Sequence, residues 1–201
     1  MEVGGYTFPS GKTYAYIRSP DGSITFLRNI LFIKNASDLR KIAVVHEWGS
    51  KAAASWEPPK GQMEWKEFKG VKKGARLSAA QLTRFQREGV LRELAEEAKI
   101  LSSEISGLTK LPFAYTQAWP ESGLPQAHFM YQFWEAQTTP TILLEAQRRL
   151  DLLRENPDWR FMLPADNSEK DAVKWWAPSE GWGIIYGSFS KKMTQLYFKD
   201  L

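Results

Sequence analysis

Three glutamates stand at helical spacing near the middle of the chain: Glu93, Glu96 and Glu97. Side chains at positions i, i+3 and i+4 of a helix project from one face. Carboxylates crowded on one face repel one another unless a cation neutralises them, and hard oxygen ligands of this kind suit Mg²⁺ or Mn²⁺. The spacing therefore predicts a divalent metal site, with an ordinary solvated acidic face as the alternative.

A second segment upstream makes the metal site the better interpretation. The run Pro58-Pro59-Lys60-Gly61 combines a rigid proline pair with a glycine. Such a turn is needed where the backbone must approach a ligand or a metal closely. An acidic helix together with this turn is a much narrower pattern than either segment alone.

The two segments together resemble the Nudix box. In that motif a glycine and, six residues later, a glutamate precede a helical run of the form Arg-Glu-aliphatic-x-Glu-Glu. Gly61 and Glu67 match the first half at the right spacing. The residues that match the second half are Arg92, Glu93, Leu94, Glu96, Glu97 and Ile100. The resemblance implies that Gly61 lies at a metal-lined turn.

The resemblance also implies roles for the charged residues. Glu93, Glu96 and Glu97 would bind the divalent cations. Arg92 would orient these glutamates through an ion pair, with Glu67 as its supporting partner. The general base is open between Glu93, Glu97 and a loop residue such as Glu121, because the family varies in this choice.

The activity that the resemblance implies is metal-dependent hydrolysis of a phosphoanhydride bond. The Trp-x-Pro-Pro-Lys-Gly turn is similar to that of Nudix enzymes acting on dinucleoside polyphosphates, and Pro-Lys-Gly turns occur in mRNA-decapping members. We therefore expect a nucleoside-diphosphate-linked substrate such as a dinucleoside polyphosphate or capped RNA, contacted by Lys60 and Trp56. The alternatives are an inositol pyrophosphate hydrolase and a non-catalytic Nudix domain that binds nucleotide, RNA or a protein partner.

Two departures from the motif stand out. Glu67 and Arg92 are separated by 24 residues, where the family has seven, so the loop before the helix carries an insertion at about 68–77. Lys99 stands where the family has a glycine that ends the helix in a left-handed conformation. A lysine adopts that conformation at some cost, but none of the proposed ligands is lost.

The insertion is basic. Lys69, Lys72 and Lys73 lie in a stretch with few acids, and Gly70 and Gly74 add flexibility. One interpretation is a mobile arm that contacts extra phosphates of the substrate or an RNA backbone. The other is a solvated basic loop without a binding role.

Composition indicates one compact domain. The chain has 201 residues, no cysteine and a formal net charge of +4, which is enough for one substantial core. Disulfides and thiolate metal sites are excluded, and no apolar run approaches the roughly 20 residues of a membrane span. We expect a single Nudix domain over 1–201 in an intracellular, cytoplasmic setting without membrane contact. The oligomeric state stays open.

Periodicity predicts alternating strands and helices. The expected strands cover 14–18, 23–27, 29–33, 41–47, 113–119, 127–135 and 172–176. One helix begins at Ser78, where Ser78 and Gln81 fit a capping box, and another helix begins at about Tyr186. This order predicts the α/β (α+β) class and an α/β/α sandwich with a mixed β-sheet between helices.

An added helical segment is expected at about 141–155. Its buried candidates are Leu143, Leu144, Ala146, Leu150 and Leu153. Near the end of the chain, the segment 190–193 is expected to be a solvated helix face, with a role in an interface as the alternative.

Overall fold

The computed structural model describes residues 1–120, 124, 126–162 and 169–199. These residues form a mixed α+β fold of the predicted α/β/α type, with a mixed nine-stranded sheet. No helix in the described part of the chain is both long enough and apolar enough to cross a membrane.

Nine strands make up the sheet. They are β1 (Glu2–Thr7), β2 (Thr13–Arg18), β3 (Ile24–Asn35), β4 (Asp38–Glu47), β5 (Trp56–Glu57), β6 (Lys60–Gln62), β7 (Ser106–Ala118), β8 (Ala127–Thr138) and β9 (Lys170–Trp176). The strand order is β1-β2-β3-β4-β5. In addition β6 pairs with β3, β9 pairs with β4, and β8 pairs with both β3 and β7.

The pairings around β4 matter most for the site described below. β5 and β9 both pair antiparallel with β4, in registers that align Val45 with Glu57 and with Val173. A parallel bridge also joins Trp56 to Ile185. β5 and β9, which lie far apart in the sequence, are thereby both held against β4.

Within the described ranges, four α-helices accompany the sheet: α1 (Ala79–Glu97), α2 (Pro140–Glu155), α3 (Pro157–Met162) and α4 (Gly187–Lys199). The predicted capping box at the start of α1 is confirmed. The Ser78 backbone N–H donates to Gln81 Oε1 at 2.9 Å, and the Gln81 N–H donates to Ser78 Oγ at 3.2 Å. Each side chain thus satisfies a backbone donor that the helix leaves open.

At the end of α1, a lysine takes the conformation that the family glycine would adopt. Lys99 adopts a φ of 54°, which is the left-handed conformation usually reserved for glycine. The Ile100 N–H then donates back to the Leu94 carbonyl at 3.4 Å. The Lys99 Nζ donates to the Glu96 carbonyl at 2.7 Å, which satisfies another terminal acceptor.

The chain divides into two compact units. Unit 1 comprises Met1–Ile30, Lys60–Val90 and Lys110–Phe133, and unit 2 comprises Leu31–Pro59, Leu91–Thr109 and Trp134–Leu201. The core of unit 1 is formed by Val3, Ala15, Leu27, Met63, Phe68, Leu77, Leu82 and Phe85. In unit 2 the rings of Phe32 and Tyr197 are stacked with centroids 3.8 Å apart. The single domain over 1–201 stays a prediction.

Several element predictions need correction. The strands expected at 23–27 and 29–33 are one continuous strand, because Arg28 fits inside it. The Arg28 guanidinium lies over the Phe129 ring, 3.6 Å from the centroid, and donates to the Tyr131 hydroxyl. Strand β1 was not predicted. In α2, Leu144 is 65% exposed, so its predicted burial is wrong.

Candidate active site

The acidic face of α1 is not solvated. Glu93 and Glu97 are only 8% and 5% exposed, and Glu96 is half-buried. Leu94 and Ala98, which follow in the same two turns, are fully buried. This burial rules out the alternative of an ordinary solvated acidic face. Charged side chains are rarely buried without a partner, so the glutamates need compensating charges.

Arg92 neutralises two of these glutamates. One guanidinium nitrogen lies 2.5 Å from Glu93 Oε1, and the other bonds to Glu96 Oε2. The predicted orienting role of Arg92 towards the helix glutamates therefore has a geometric basis. Its predicted pairing with Glu67 stays a prediction.

A fourth carboxylate joins the set from outside the helix. Glu57, at the end of β5, is 5% exposed. Its Oε1 accepts from Lys170 Nζ at 2.8 Å, and its Oε2 accepts from Ser190 Oγ at 2.9 Å. The same ammonium lies 3.5 Å from Glu97 Oε1. We call the four carboxylates of Glu57, Glu93, Glu96 and Glu97 the acidic cluster; all four belong to unit 2.

Lys170 carries a positive charge in this buried setting. Burial on its own lowers the pKa of an ammonium, but the carboxylates of Glu97 and Glu57 outweigh that effect, so the pKa of Lys170 is raised above its ordinary value. The lysine is therefore a fixed cation between two carboxylates.

Lys99 lies at the other end of the cluster, close to Glu96 and Glu97. Burial lowers its pKa to about 8, and the two carboxylates oppose this shift only in part. The carboxylates near Lys99 therefore offset the burial of its ammonium less completely than Glu57 and Glu97 do for Lys170.

The donor chemistry of the acidic cluster fits a hard divalent cation. Its ligands are carboxylate oxygens, as Mg²⁺ and Mn²⁺ prefer. The cationic side chains of Arg92, Lys99 and Lys170 interact with these carboxylates. Among the residues that the structure describes, however, no three acidic or histidine side chains converge as a metal site. Glu93 and Glu96 would have to turn from Arg92 to take a metal.

In unit 1, the predicted turn residues Lys60 and Gly61 line a cavity of about 200 Å³. The other lining residues are Tyr14, Arg28, Gln62 and Tyr131. Arg28 donates to the Tyr131 hydroxyl at 2.5 Å and to Gln62 Oε1 at 3.2 Å. The cavity thus offers two cationic side chains and two phenol rings. These suit a ligand that carries both an anionic group and an aromatic ring.

Glu67, the supporting residue of the motif, is 8% exposed and also belongs to unit 1. It lies against Gly89 of α1, where an added Cβ atom would be 2.8 Å from Glu67 Oε2. A larger residue at this position would require the Glu67 carboxylate to shift.

The basic insertion is tied to β1. The Val3 N–H donates to the Ala75 carbonyl at 2.9 Å, and the Gly74 N–H donates to the Val3 carbonyl at 2.8 Å. Its ends, Phe68 and Leu77, are part of the unit 1 core. The segment is thus an anchored loop and not a free arm, while Lys69, Lys72 and Lys73 are exposed on it.

Trp56 belongs to unit 2 and already has neighbours on its ring. Lys174 Nζ lies 4.3 Å from a ring centroid of Trp56, and the His46 ring lies 4.9 Å away at a tilt. His46 Nδ1 is in turn 2.6 Å from Asp171 Oδ1. The contact of Trp56 with the substrate stays a prediction. Glu121, one of the candidate bases, lies outside the described residues.

Sequence reasoning missed Glu57, Lys170 and Ser190. The segment that contains Ser190 was expected to be solvated, and this is wrong: Ser190 and Met193 are 2% and 0% exposed. The available signal for Glu57 was a charged residue between a tryptophan and a proline pair. No local signal marked Lys170, which is 113 residues from its carboxylate partner.

No protein-family model and no curated protein matches this sequence. Similar solved structures include the E. coli ORF135 protein, at 12% identity over 90% of this chain and 94% of that chain, with a TM-score of 0.46. A NUDIX hydrolase from Nitrosomonas europaea has 12% identity, coverage of 88% and 90%, and a TM-score of 0.43. A crystal structure of NUDIX hydrolase from the same organism has 15% identity, coverage of 99% and 86%, and a TM-score of 0.47. These likenesses carry no argument about activity, which rests on the chain's own residues.

Proposed function

We propose that the chain is a Nudix-type pyrophosphohydrolase that cleaves a phosphoanhydride bond with the help of Mg²⁺ or Mn²⁺. The observation that carries the proposal is the burial of the acidic cluster, with Glu93 and Glu97 at 8% and 5% exposure. Buried carboxylates cost stability unless they are paired. A fold that buries these carboxylates despite that cost is suited to a cation-dependent reaction.

Glu93, Glu96 and Glu97 are the residues that would hold the cation. A divalent cation there neutralises the oxygens of a diphosphate and makes water easier to deprotonate. Arg92 pairs with Glu93 and Glu96 through its two nitrogens, and these carboxylates would turn from it to take the cation. The candidate base is Glu93, Glu97 or Glu121, each a carboxylate able to accept a proton from water.

The proposed substrate is a nucleoside-diphosphate-linked molecule, such as a dinucleoside polyphosphate or capped RNA. Within unit 1, Lys60 and Arg28 bring positive charge to a cavity that Tyr14 and Tyr131 also line. Cations attract phosphates, and aromatic rings accept planar bases. An inositol pyrophosphate, which lacks a base, would use only the cations. An intracellular setting and the RNA contact of the basic insertion also stay predictions.

A non-catalytic Nudix domain is the second candidate, and a specific observation favours it. Arg92 and Lys170 already neutralise much of the acidic cluster, and no three acidic side chains converge within the described ranges. A domain that had lost its metal would need such internal pairs. It would bind nucleotide, RNA or a protein partner without hydrolysis.

Hydrolysis of a substrate panel tests the proposal. The panel contains diadenosine tetraphosphate, a cap analogue, capped RNA, a nucleoside diphosphate sugar and an inositol pyrophosphate. Each is incubated with Mg²⁺ or Mn²⁺ and with EDTA, and the products are separated by anion-exchange chromatography. The matched control is the Glu96→Gln, Glu97→Gln double variant, which keeps side-chain size but removes two charges.

If the wild type cleaves a panel member only when the cation is present, and the double variant does not cleave it, the result supports an enzyme and identifies its substrate class. No cleavage across the panel, together with tight binding of a nucleotide or RNA, would overturn the proposal in favour of the binding domain.

A further inference from the structure

A cavity of about 610 Å³ lies in unit 2. Its walls come from the hairpin of β3 and β4, from the turn that follows β9 and from the last turn of α4. None of the described residues that line it belongs to the acidic cluster. Protein pockets that hold a small ligand have volumes of about 300–1,000 Å³, so the cavity has room for one.

Much of the lining is apolar. Its apolar residues are Leu39, Ala177, Pro178 and Phe198. Leu39 is 52% exposed, so its side chain is not part of the core. The Phe198 ring packs edge-to-face against Trp176 and Tyr197, with centroids 6.1 and 5.2 Å away. A half-buried ring held in this way offers a surface on which another ring can pack.

The turn that follows β9 is held in place by hydrogen bonds. The Ala177 N–H donates to Glu180 Oε1 at 2.9 Å, and the Glu180 N–H donates to the Ala177 carbonyl at 2.9 Å. Trp176 Nε1 donates to the Gly181 carbonyl at 3.2 Å. This wall of the cavity is therefore formed before a ligand arrives, which lowers the entropic cost of binding.

Two cationic side chains in the lining are already paired. Lys34 Nζ lies 2.9 Å from Glu135 Oε2, which also accepts from the Tyr197 hydroxyl at 2.6 Å. Arg40 Nε donates to Asp38 Oδ1 at 2.9 Å, and Arg40 Nη2 donates to Asp38 Oδ2 at 3.3 Å. Neither cation depends on a ligand for its counter-charge.

Lys41 differs from these two cations. It lines the cavity and is half-buried, and within the described part of the chain it forms no salt bridge. Its charge is felt by the Asp38 carboxyl, but both oxygens of Asp38 already bond to Arg40. A lysine without a salt-bridge partner beside apolar walls attracts an anion that also carries apolar surface.

We propose that the cavity is a binding site for a small organic anion with an aromatic body. The anionic group pairs with the Lys41 ammonium, and the ring packs against Leu39 and Phe198. The site goes beyond the proposed function, because it uses neither the acidic cluster nor a divalent cation.

The test is a titration of the full-length ¹⁵N-labelled chain with 2-naphthoate, followed by NMR. A parallel titration uses 2-naphthamide, which has the same rings but no charge. We expect 2-naphthoate to shift the amide signals of Leu39, Lys41 and Ser179 saturably. Its affinity should be about fivefold higher than that of 2-naphthamide, as a single ion pair near the surface would give.

Two variants separate charge from shape. Lys41→Gln should lower the affinity for 2-naphthoate to that for 2-naphthamide and leave the latter unchanged. Ser179 is exposed, so Ser179→Trp adds a large ring at the cavity without disturbing the core and should weaken binding of both compounds. The matched control is Lys51→Gln, which removes an exposed charge from unit 2 outside the lining and should change neither affinity.

Three results would overturn the proposal. The first is no saturable shift at these amides, and the second is equal 2-naphthoate affinity in the wild type and Lys41→Gln. The third is a shift of the same amides when the protein alone is concentrated, because a second copy of the chain would then occupy the cavity. The titrations contain neither metal nor phosphoanhydride, so their failure is distinct from failure of the proposed function, which the substrate panel measures.

Discussion

At the scale of single residues, the account depends on how buried charges are compensated. Glu57 and Glu97 share one ammonium, and Glu93 and Glu96 share one guanidinium. Removing one partner of a buried pair leaves an uncompensated charge, which costs far more than the pair contributes. Stability and metal binding are therefore linked through the same side chains.

The stability of the chain should fall sharply when Lys170 is replaced. We expect Lys170→Met to lower the free energy of unfolding by about 3–5 kcal/mol, because two buried carboxylates lose their cation. Urea denaturation followed by tryptophan fluorescence measures the change. Lys34→Met, which breaks the more exposed pair with Glu135, should cost clearly less. Equal losses would contradict this view of Lys170.

Lys99 allows a second test at the same scale, because its φ of 54° is strained for a lysine. We expect Lys99→Gly to be more stable to urea than Lys99→Ala by about 1 kcal/mol, since only glycine adopts this conformation without a Cβ penalty. Both variants lose the ammonium, so their difference isolates the backbone. If alanine were as stable as glycine, no strain would be stored at the end of α1.

At the scale of elements, local signals predicted α1 well. Ser78 and Gln81 are three residues apart and bond to one another, so the start of the helix could be predicted from the sequence alone. The left-handed end at Lys99 could not be predicted, because a lysine in place of the motif's glycine disfavours that conformation. The continuity of β3 could not be predicted, because it depends on contacts of Arg28 with Phe129 and Tyr131, about 100 residues away.

Gly89 provides a test of how α1 accommodates Glu67. Gly→Ala inside a helix normally stabilises by up to about 1 kcal/mol. Here an added Cβ would lie 2.8 Å from Glu67 Oε2 and 3.2 Å from Asn29 Nδ2, so we expect Gly89→Ala to lose most of that gain. In a Glu67→Ala background the gain should return. A double-mutant cycle of unfolding free energies measures the coupling, and zero coupling would contradict the packing described here.

At the scale of the whole molecule, the candidate site could be predicted only in part. The glutamates of α1 lie within one helical turn, and their spacing was enough to indicate a charged site. Glu57 lies in β5, and its hydrogen-bond partners Lys170 and Ser190 lie in β9 and α4. These partners are 113 and 133 residues away from Glu57 in the sequence. The pairing of β5 and β9 with β4 brings Glu57 and Lys170 together, and no local pattern marks a contact over such a distance in the sequence.

The predicted contact between the basic insertion and a long anionic substrate is tested at this scale. Replacing Lys69, Lys72 and Lys73 with glutamine should raise the Michaelis constant at low salt and leave kcat unchanged, since the exposed ammonium groups would attract phosphate without reaching the reacting atoms. Steady-state kinetics on a long substrate such as capped RNA measures both constants. The control neutralises Lys51, Lys191 and Lys192, which removes the same charge from unit 2. An unchanged Michaelis constant would leave the insertion without a binding role.

The most direct test of the central claim is Mg²⁺-dependent cleavage of diadenosine tetraphosphate and of a cap analogue by the wild type and by the Glu96→Gln, Glu97→Gln variant. The account predicts turnover by the wild type that EDTA abolishes, and a loss of at least a hundredfold in the variant, since two of the three proposed metal-binding carboxylates are gone. Equal turnover by both proteins, or turnover that persists in EDTA, would contradict the claim that the acidic cluster holds a catalytic cation.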